Sequence, residues 1–349
     1  MLIAGDVFHQ VRPTNTAIVD AYLQFSKLRR ELPNAIIVMI AGNHDTQRST
    51  ELVCILRLFQ SIGIRVVESA AESIDYPELD LELLAVPSSA FERHKLVPSG
   101  VRGRNILLTH GSVAGERSKY AAPTGAPLLE LPDEHVHADA WSYVALGHYH
   151  VFNPVRPHEV YAGAIDYTST NPWAELYEQK RAGWKGKCIV EYDLDSRALT
   201  KHWLEPSRIF VDIEPHISAK GHTAEEVNAL VDMSVEKLDG GIDNKVVRLI
   251  IDDCPRHVAR QLDHRRLREY RQRALHFQLD PRKPELFRSA AYGAPGKRPS
   301  LQQLVRDKLR ERIVPPDVDR EQLVDLGVQY LREAEERESV ATPIIGTAD

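Results

Sequence analysis

A chain of 349 residues, 43% hydrophobic and 27% charged, has material for two or three globular units rather than one. It contains no run of about 18 apolar residues that could span a bilayer, and its opening Met-Leu-Ile-Ala-Gly-Asp lacks the basic region and apolar stretch of a secretion signal, so a cytoplasmic location is expected. The net charge of −6 conceals a segregation: residues 256–312 hold sixteen Lys and Arg against six Asp and Glu, inside an otherwise acidic chain. Such a stretch either attracts phosphate backbones or forms a solvated, arginine-rich helical face.

Along the first 200 residues, short β-rich runs at 35–40, 64–68, 81–86, 105–108 and 142–146 alternate with helical patterns. In 16–32, Ile18, Val19, Tyr22, Phe25 and Leu28 recur at helical spacing before Pro33. In 50–62, Leu52, Ile55, Leu56 and Phe59 share one face, with Gly63 as the stop. This alternation predicts a layered α/β first domain over 1–206, closed by a hairpin of 187–194 and 199–204 around Asp195-Ser196. A strand at 209–213, a helix at 224–238 and a strand at 246–251 predict a small α/β cap over 207–288. Residues 289–299 have linker composition. In the tail, 300–349, Leu301, Leu304, Val305, Leu309 and Ile313 make an apolar stripe, and a second amphipathic stretch runs over 320–336. The tail either folds back on the domain or docks a partner helix or coiled coil.

Cys54, Cys188 and Cys254 form no ligand-spaced pair and read as small hydrophobes, with neither a disulfide framework nor a thiolate zinc site indicated. The chemistry lies elsewhere. Asp6 follows Leu2-Ile3-Ala4, Asn43 follows 36–40, His110 follows 106–108 and His148 follows 143–146, so each trails a strand-like run. In open α/β sheets the carboxyl ends of the strands form the ligand crevice, and four separated motifs can converge there. A carboxylate, an amide oxygen and imidazoles without thiolate suit manganese, iron or zinc and suit calcium poorly. Two such ions about 3.5–4 Å apart activate a water, hold a phosphoryl group and stabilise the leaving oxygen, which makes phosphate ester hydrolysis the natural reaction.

With Gly5-Asp6, Gly42-Asn43-His44-Asp45, Thr109-His110-Gly111 and Gly147-His148-Tyr149-His150 in this order, the chain resembles the calcineurin-like metallophosphoesterase superfamily over residues 5–150. Within it, Gly5-Asp6-Val7-Phe8-His9 followed by Arg12-Pro13, the 145–150 block and Tyr161-Ala162-Gly163-Ala164 resemble the SbcD-type nuclease subunits of DNA repair. The resemblance implies a four-layer metallophosphoesterase sandwich, two β-sheets flanked by helices, with an α/β cap and a C-terminal helical tail. It implies two divalent ions, most readily Mn2+. Asp6 would bridge them, Asn43, His110 and His148 would complete the second ion, and His150 would serve the first. His44 would be the catalytic histidine with Asp45 orienting its ring. His9 would lie close to a DNA end, or be a plain surface histidine.

The implied activity is manganese-dependent exonuclease and endonuclease cleavage of DNA, with the tail on the coiled coil of an SMC-like, SbcC-type ATPase subunit and homodimerisation through the phosphoesterase domain. Two other readings stay open: a small-molecule phosphodiesterase or phosphatase, and a silent scaffold that binds DNA or the ATPase. The family pattern opens with an Asp-x-His on a strand before Asp6, and these residues do not contain one. The expectation is either a reading of a longer gene that starts at an internal methionine or a natural form with one metal at best.

Overall fold

The computed structural model describes residues 1–46, 54–91, 95–113, 130–131, 136–169, 171–284, 301–310 and 319–341. The chain is mixed α/β and divides into two compact units, Met1–Lys283 and Pro284–Asp349.

Strand β1 (Leu2–Ile3), β2 (Val38–Ile40) and β3 (Arg65–Val67) form a parallel sheet in that order, with Leu2 opposite Val38 and Ile40 opposite Val67. The helix Asn15–Glu31 starts where the Thr14 side chain accepts from Ala17 N at 3.3 Å, and it ends as Leu32 N–H closes on Leu28 O ahead of Pro33. A 3₁₀ helix, Ile55–Ile62, stops at Gly63 with φ 79°, a left-handed conformation that favours glycine. The expected start of that helix near residue 50, Leu52 included, lies outside the described residues. Ile37, Met39 and Ala41 face this helical layer and pack with Leu56 and Phe59, while Val38 and Ile40 point the opposite way, the two-residue alternation of a strand.

The larger sheet contains β4 (Glu72–Tyr76), β5 (Leu81–Val86) and β6 (Arg104–His110). A two-stranded pair, β7 (Ser112–Val113) and β8 (Glu130–Leu131), follows; then β9 (Tyr143–Gly147), β10 (Asn153–Arg156) and β11 (Glu159–Tyr161) complete the large sheet in the order β10-β11-β9-β6-β5-β4. Its four inner strands are parallel and its two edges antiparallel. Leu83, Ala85, Ile106, Leu108 and Tyr143 share one apolar cluster with Val38, Ile40 and Val67, so the two sheets pack against each other. Leu84, Val86, Leu107, Val144 and Leu146 point to the other face, onto Phe91, Val136, Trp141 and Tyr161. The predicted hairpin is β12 (Cys188–Tyr192) with β13 (Leu199–Trp203), and it joins the cluster between the sheets, with Tyr192 stacked on Tyr143 at 4.5 Å.

A third sheet of β14 (Phe210–Ser218), β15 (Val246–Asp252) and β16 (His276–Pro281), all parallel, builds its own core with the helix Ala224–Glu236, whose Thr223 and Glu226 form a capping box. Two further helices, Arg256–Arg260 and His264–Arg273, carry much of the basic stretch. Part of its charge is neutralised locally, Arg266 by Asp232 at 3.3 Å and Arg273 by Asp243 at 2.8 Å. The helix Pro172–Arg181 joins this sheet to the first part: Trp173 Nε1 donates to Gln278 at 3.0 Å, and the Arg248 guanidinium lies 5.0 Å over the Trp173 ring.

In the second unit the helices Leu301–Arg310 and Arg320–Ala341 pair with each other. Gly327 allows the close approach, since a Cβ there would lie 2.4 Å from Leu309 Cδ1. Val324 and Val328 are buried, and Leu326 and Tyr330 are exposed. The 289–299 linker and Ile313 lie outside the described residues. Among the described residues no helix is long and apolar enough to cross a membrane.

Phe59 is fully buried, with its ring 4.8 Å from Phe25 edge-on and 6.4 Å from Phe8. Phe59→Ala is expected to lower stability by about 3–5 kcal/mol in urea denaturation, against about 0.5 kcal/mol or less for Val19→Ala on the exposed side of the neighbouring helix.

Candidate metal centre

Parallel pairing puts all the chemistry at one end. β1 and β2 run side by side into Gly5-Asp6 and Gly42-Asn43, and β6 and β9 end in register with His110 opposite Gly147. Because the two sheets pack face to face, their carboxyl ends also meet. Gly147 has no room for a side chain, since a Cβ there would fall 1.8 Å from Ala4 O, and a Cβ on Gly5 would fall 2.6 Å from His110 Nδ1.

Asp6, His110 and His148 thereby bring one ligand atom each within 4.8 Å of one another, the one such group of His, Cys, Asp or Glu among the described residues. His110 Nδ1 donates to the Ala4 carbonyl at 2.7 Å, leaving Nε2 to face Asn43 Oδ1 at 2.9 Å and Asp6 Oδ2 at 3.2 Å. Asn43 Oδ1 also lies 3.2 Å from His148 Nδ1. With Nδ1 donating to Ala4, His110 turns Nε2 toward two oxygens, an arrangement that calls for a proton or a cation among them. His148 Nε2 is buried with no hydrogen-bond partner, an unmet donor-atom requirement of the kind a metal satisfies. Asp6, Asn43, His110 and His148 therefore fit a divalent transition ion through a carboxylate oxygen, an amide oxygen and two imidazole nitrogens.

Backbone strain is concentrated at the same place. Asp6 has φ 51° and His148 φ 117°, both in regions unusual for residues with a side chain, and the surrounding contacts hold them there. Burial pushes the His148 imidazolium down to about 4, assisted by charge on His110, so the ring is neutral and able to ligate at neutral pH. At Asp6 burial favours the neutral acid, but the hydrogen bond and charge of His110 and the His44 amide outweigh it and hold the carboxyl below its usual range.

The structure gives Asp45 a different task from the one the family resemblance implied. Its carboxylate is 1% exposed and accepts from Gly42 N at 3.1 Å, Phe8 N at 3.1 Å and Val7 N at 3.2 Å, so it staples the loop carrying Asp6 to the loop carrying Asn43. Burial pushes this carboxyl up, the three amides pulling the other way. The His44 ring is oriented by the His9 carbonyl, which accepts from Nδ1 at 2.8 Å, while His44 N–H donates to Asp6 Oδ1 at 2.8 Å. The His9 ring lies over His44 with centroids 5.5 Å apart and planes 17° from parallel.

His150 stands apart from the cluster of Asp6, His110 and His148. Its Nδ1 donates to Glu175 Oε1 at 3.0 Å, and its carbonyl accepts from Lys187 Nζ at 2.8 Å. Glu175 and Lys187 are each 5% exposed and form an ion pair that the sequence pattern does not single out. The available signal was local: Asn171-Pro172 caps and starts a helix whose buried residues include Trp173, Glu175 and Leu176. Tyr161 donates to Gly111 O at 2.9 Å and accepts from Val113 N at 3.0 Å, fixing the loop after His110. Ser112 and Tyr149 hydroxyls meet 2.6 Å apart beside it.

No protein-family model matches the chain, and no curated protein matches it.

Calorimetric titration with Mn2+ is expected to show binding that Asp6→Asn or His148→Ala weakens at least about tenfold, and that weakens as pH falls because protons compete for the imidazoles. In chelator, stability should drop between pH 6.5 and 4. There the unfolded chain binds the proton that folded His148 rejects, a cost of about 2–3 kcal/mol, and Asp6 adds a loss below the usual carboxylate range. His148→Gln should flatten the upper part of that slope in thermal melts.

Proposed function

We propose that the chain is a metal-dependent phosphoesterase of the calcineurin-like kind, acting on DNA phosphodiesters as the nuclease subunit beside an SMC-like ATPase. The observation that carries this reading is the convergence of Asp6, Asn43, His110 and His148 from four strand ends, with His148 Nε2 buried and unpartnered. The apolar cluster shared by the two sheets, with helices over the smaller one, supports the metallophosphoesterase sandwich.

A manganese ion held by these four residues would supply Lewis acidity to the phosphoryl oxygens and a water more acidic than bulk. The protein's own part is positional. His110 is locked by the Ala4 carbonyl so that Nε2 faces the centre, and Asp6 is held at Oδ1 by the His44 amide so that Oδ2 faces His110. His44, adjacent to Asn43, has Nδ1 tied as donor to the His9 carbonyl, so the doubly protonated ring would carry on Nε2 the proton given to the leaving oxygen, returning to the neutral Nδ1–H form. His9, stacked on His44, restricts the plane of that ring.

A polymeric substrate is favoured over a small phosphodiester by the third sheet, joined to the first part through Trp173, and by the exposed Arg256, Arg260, Arg268 and Arg271 on its helices. The paired tail helices with exposed Leu326 and Tyr330 support a docking role toward the ATPase coiled coil. The exposed Val19, Leu23 and Leu58, which line a groove with Ile18 and Tyr22, support a homodimer.

The test is manganese-dependent cleavage of end-labelled duplex DNA by this chain and by a version extended upstream with an Asp-x-His strand. DNA cleavage that His44→Ala lowers by about 10²-fold or more, with Mn2+ affinity kept, is the expected result. Hydrolysis of small phosphodiesters alone would overturn the DNA substrate, and DNA binding without hydrolysis by either version would leave a scaffold. Replacing Arg256, Arg260 and Arg268 with Glu should weaken DNA binding at all sequences and reduce its salt dependence by about one unit of slope for each phosphate that is no longer neutralised.

A further inference from the structure

The rings of His110 and His148 meet edge to face with centroids 5.4 Å apart, but they are held differently. His110 is hooked to the Ala4 carbonyl through Nδ1, whereas His148 turns Nδ1 to the Asn43 side chain at 3.2 Å and has Nε2 buried with no hydrogen-bond partner. Its backbone gives little support: at φ 117° a residue with a side chain stays only where its surroundings hold it. The orientation of His148 therefore has to come from packing. The rings against it are His110 and Tyr149, the latter at 5.5 Å with planes 65° apart.

Tyr149 is itself fixed at both ends. Its ring meets Tyr161 edge to face at 4.7 Å, and its hydroxyl meets the Ser112 hydroxyl at 2.6 Å. Ser112 is buried, two residues after His110, and Tyr161 bonds on both sides of it: the Tyr161 hydroxyl donates to Gly111 O at 2.9 Å and accepts from Val113 N at 3.0 Å. Gly111 N donates in turn to Gly147 O at 3.2 Å, and a Cβ on Gly111 would fall 2.3 Å from the Phe91 ring. Segment 111–113 thus has little freedom, and the Ser112–Tyr149 hydrogen bond carries its position across to the residue after His148. The arrangement matches that of Asp45 in the other sheet. Asp45 ties the loop after β1 to the loop after β2, and the two hydroxyls tie the segment after β6 to the turn after β9.

We propose that Ser112 and Tyr149 are positioning residues for His148: their hydrogen bond sets the plane of its imidazole and its spacing from His110. This rests on the reading of Asp6, Asn43, His110 and His148 as a metal centre, yet its first measurement uses no ion. Loss of a partner bonded directly to a ligating histidine typically costs a metal site about 10- to 100-fold in affinity. Tyr149 acts on His148 through ring contact instead, so the expected loss is smaller, about three- to tenfold.

The experiment is a double-mutant cycle of Ser112→Ala and Tyr149→Phe. It is read first by nuclear Overhauser contacts between the His110 and His148 rings in the metal-free protein, then by calorimetric Mn2+ titration. Ser73→Ala is the control, because it removes a hydroxyl bond to Glu82 at the β4 edge of the same sheet and costs stability away from the centre. The ring contacts are expected to weaken in both single variants, and each should lower Mn2+ affinity about three- to tenfold. The double variant should be no weaker than the weaker single, since the same bond is lost in all three. Ser73→Ala should bind within about twofold of wild type. Wild-type ring contacts and affinity in the folded single variants, losses that multiply in the double variant, or an equal loss in Ser73→Ala would overturn the proposal. A wild type that binds no Mn2+ would overturn it together with the proposed function. The expected cycle without cleavage of any phosphoester would overturn the proposed function and leave the positioning role standing.

Discussion

The hydrogen bond from His110 Nδ1 to the Ala4 carbonyl joins the two sheets at the point where their strands end, and most of the centre follows from it. It sets the tautomer of His110, and it sets how closely the turn after β1 approaches the end of β6. At that separation a side chain at 147 cannot exist, because Ala4 O occupies its place. Glycine at 147 is thus a packing requirement of the sheet-to-sheet contact. The positive φ angles of Asp6 and His148 lie in the same few residues. Their strain is offset by hydrogen bonds and packing around them.

A second constraint acts across the loops. Asp45, buried and bonded to three backbone amides, fixes the Asp6 loop against the Asn43 loop and so holds these two residues from separate strands at their spacing. His44 and His9 are then ordered by main-chain groups and by each other. The cluster is ordered chiefly by backbone contacts, and removing one of its side chains should therefore leave the scaffold largely in place.

The third sheet is coupled to this arrangement through one helix. Pro172–Arg181 shows Trp173 to Gln278 and Arg248 on one side and Glu175 to His150 and Lys187 on the other.

The sequence by itself determined the elements with a strong period and the polar side chains that directly follow them. The helix over 16–32, the strand 81–86, the hairpin across Asp195-Ser196 and the strands before Asp6, Asn43, His110 and His148 were legible because apolar alternation and turn residues are local signals. The polar edge strands β4 and β10 were missed: Glu72–Tyr76 alternates weakly and Asn153–Arg156 contains Pro154, as edge strands tolerate. Only the tertiary structure decided which partner each polar atom takes. The family resemblance implies that Asp45 orients the His44 ring, yet the fold turns it onto the amides of Gly42, Val7 and Phe8 and gives the ring to the His9 carbonyl. Glu175 and Lys187, twelve residues apart, meet only because a helix and a strand close over His150. Hydrogen bonds across such distances depend on how the sheets pack, and no local pattern in the chain encodes them.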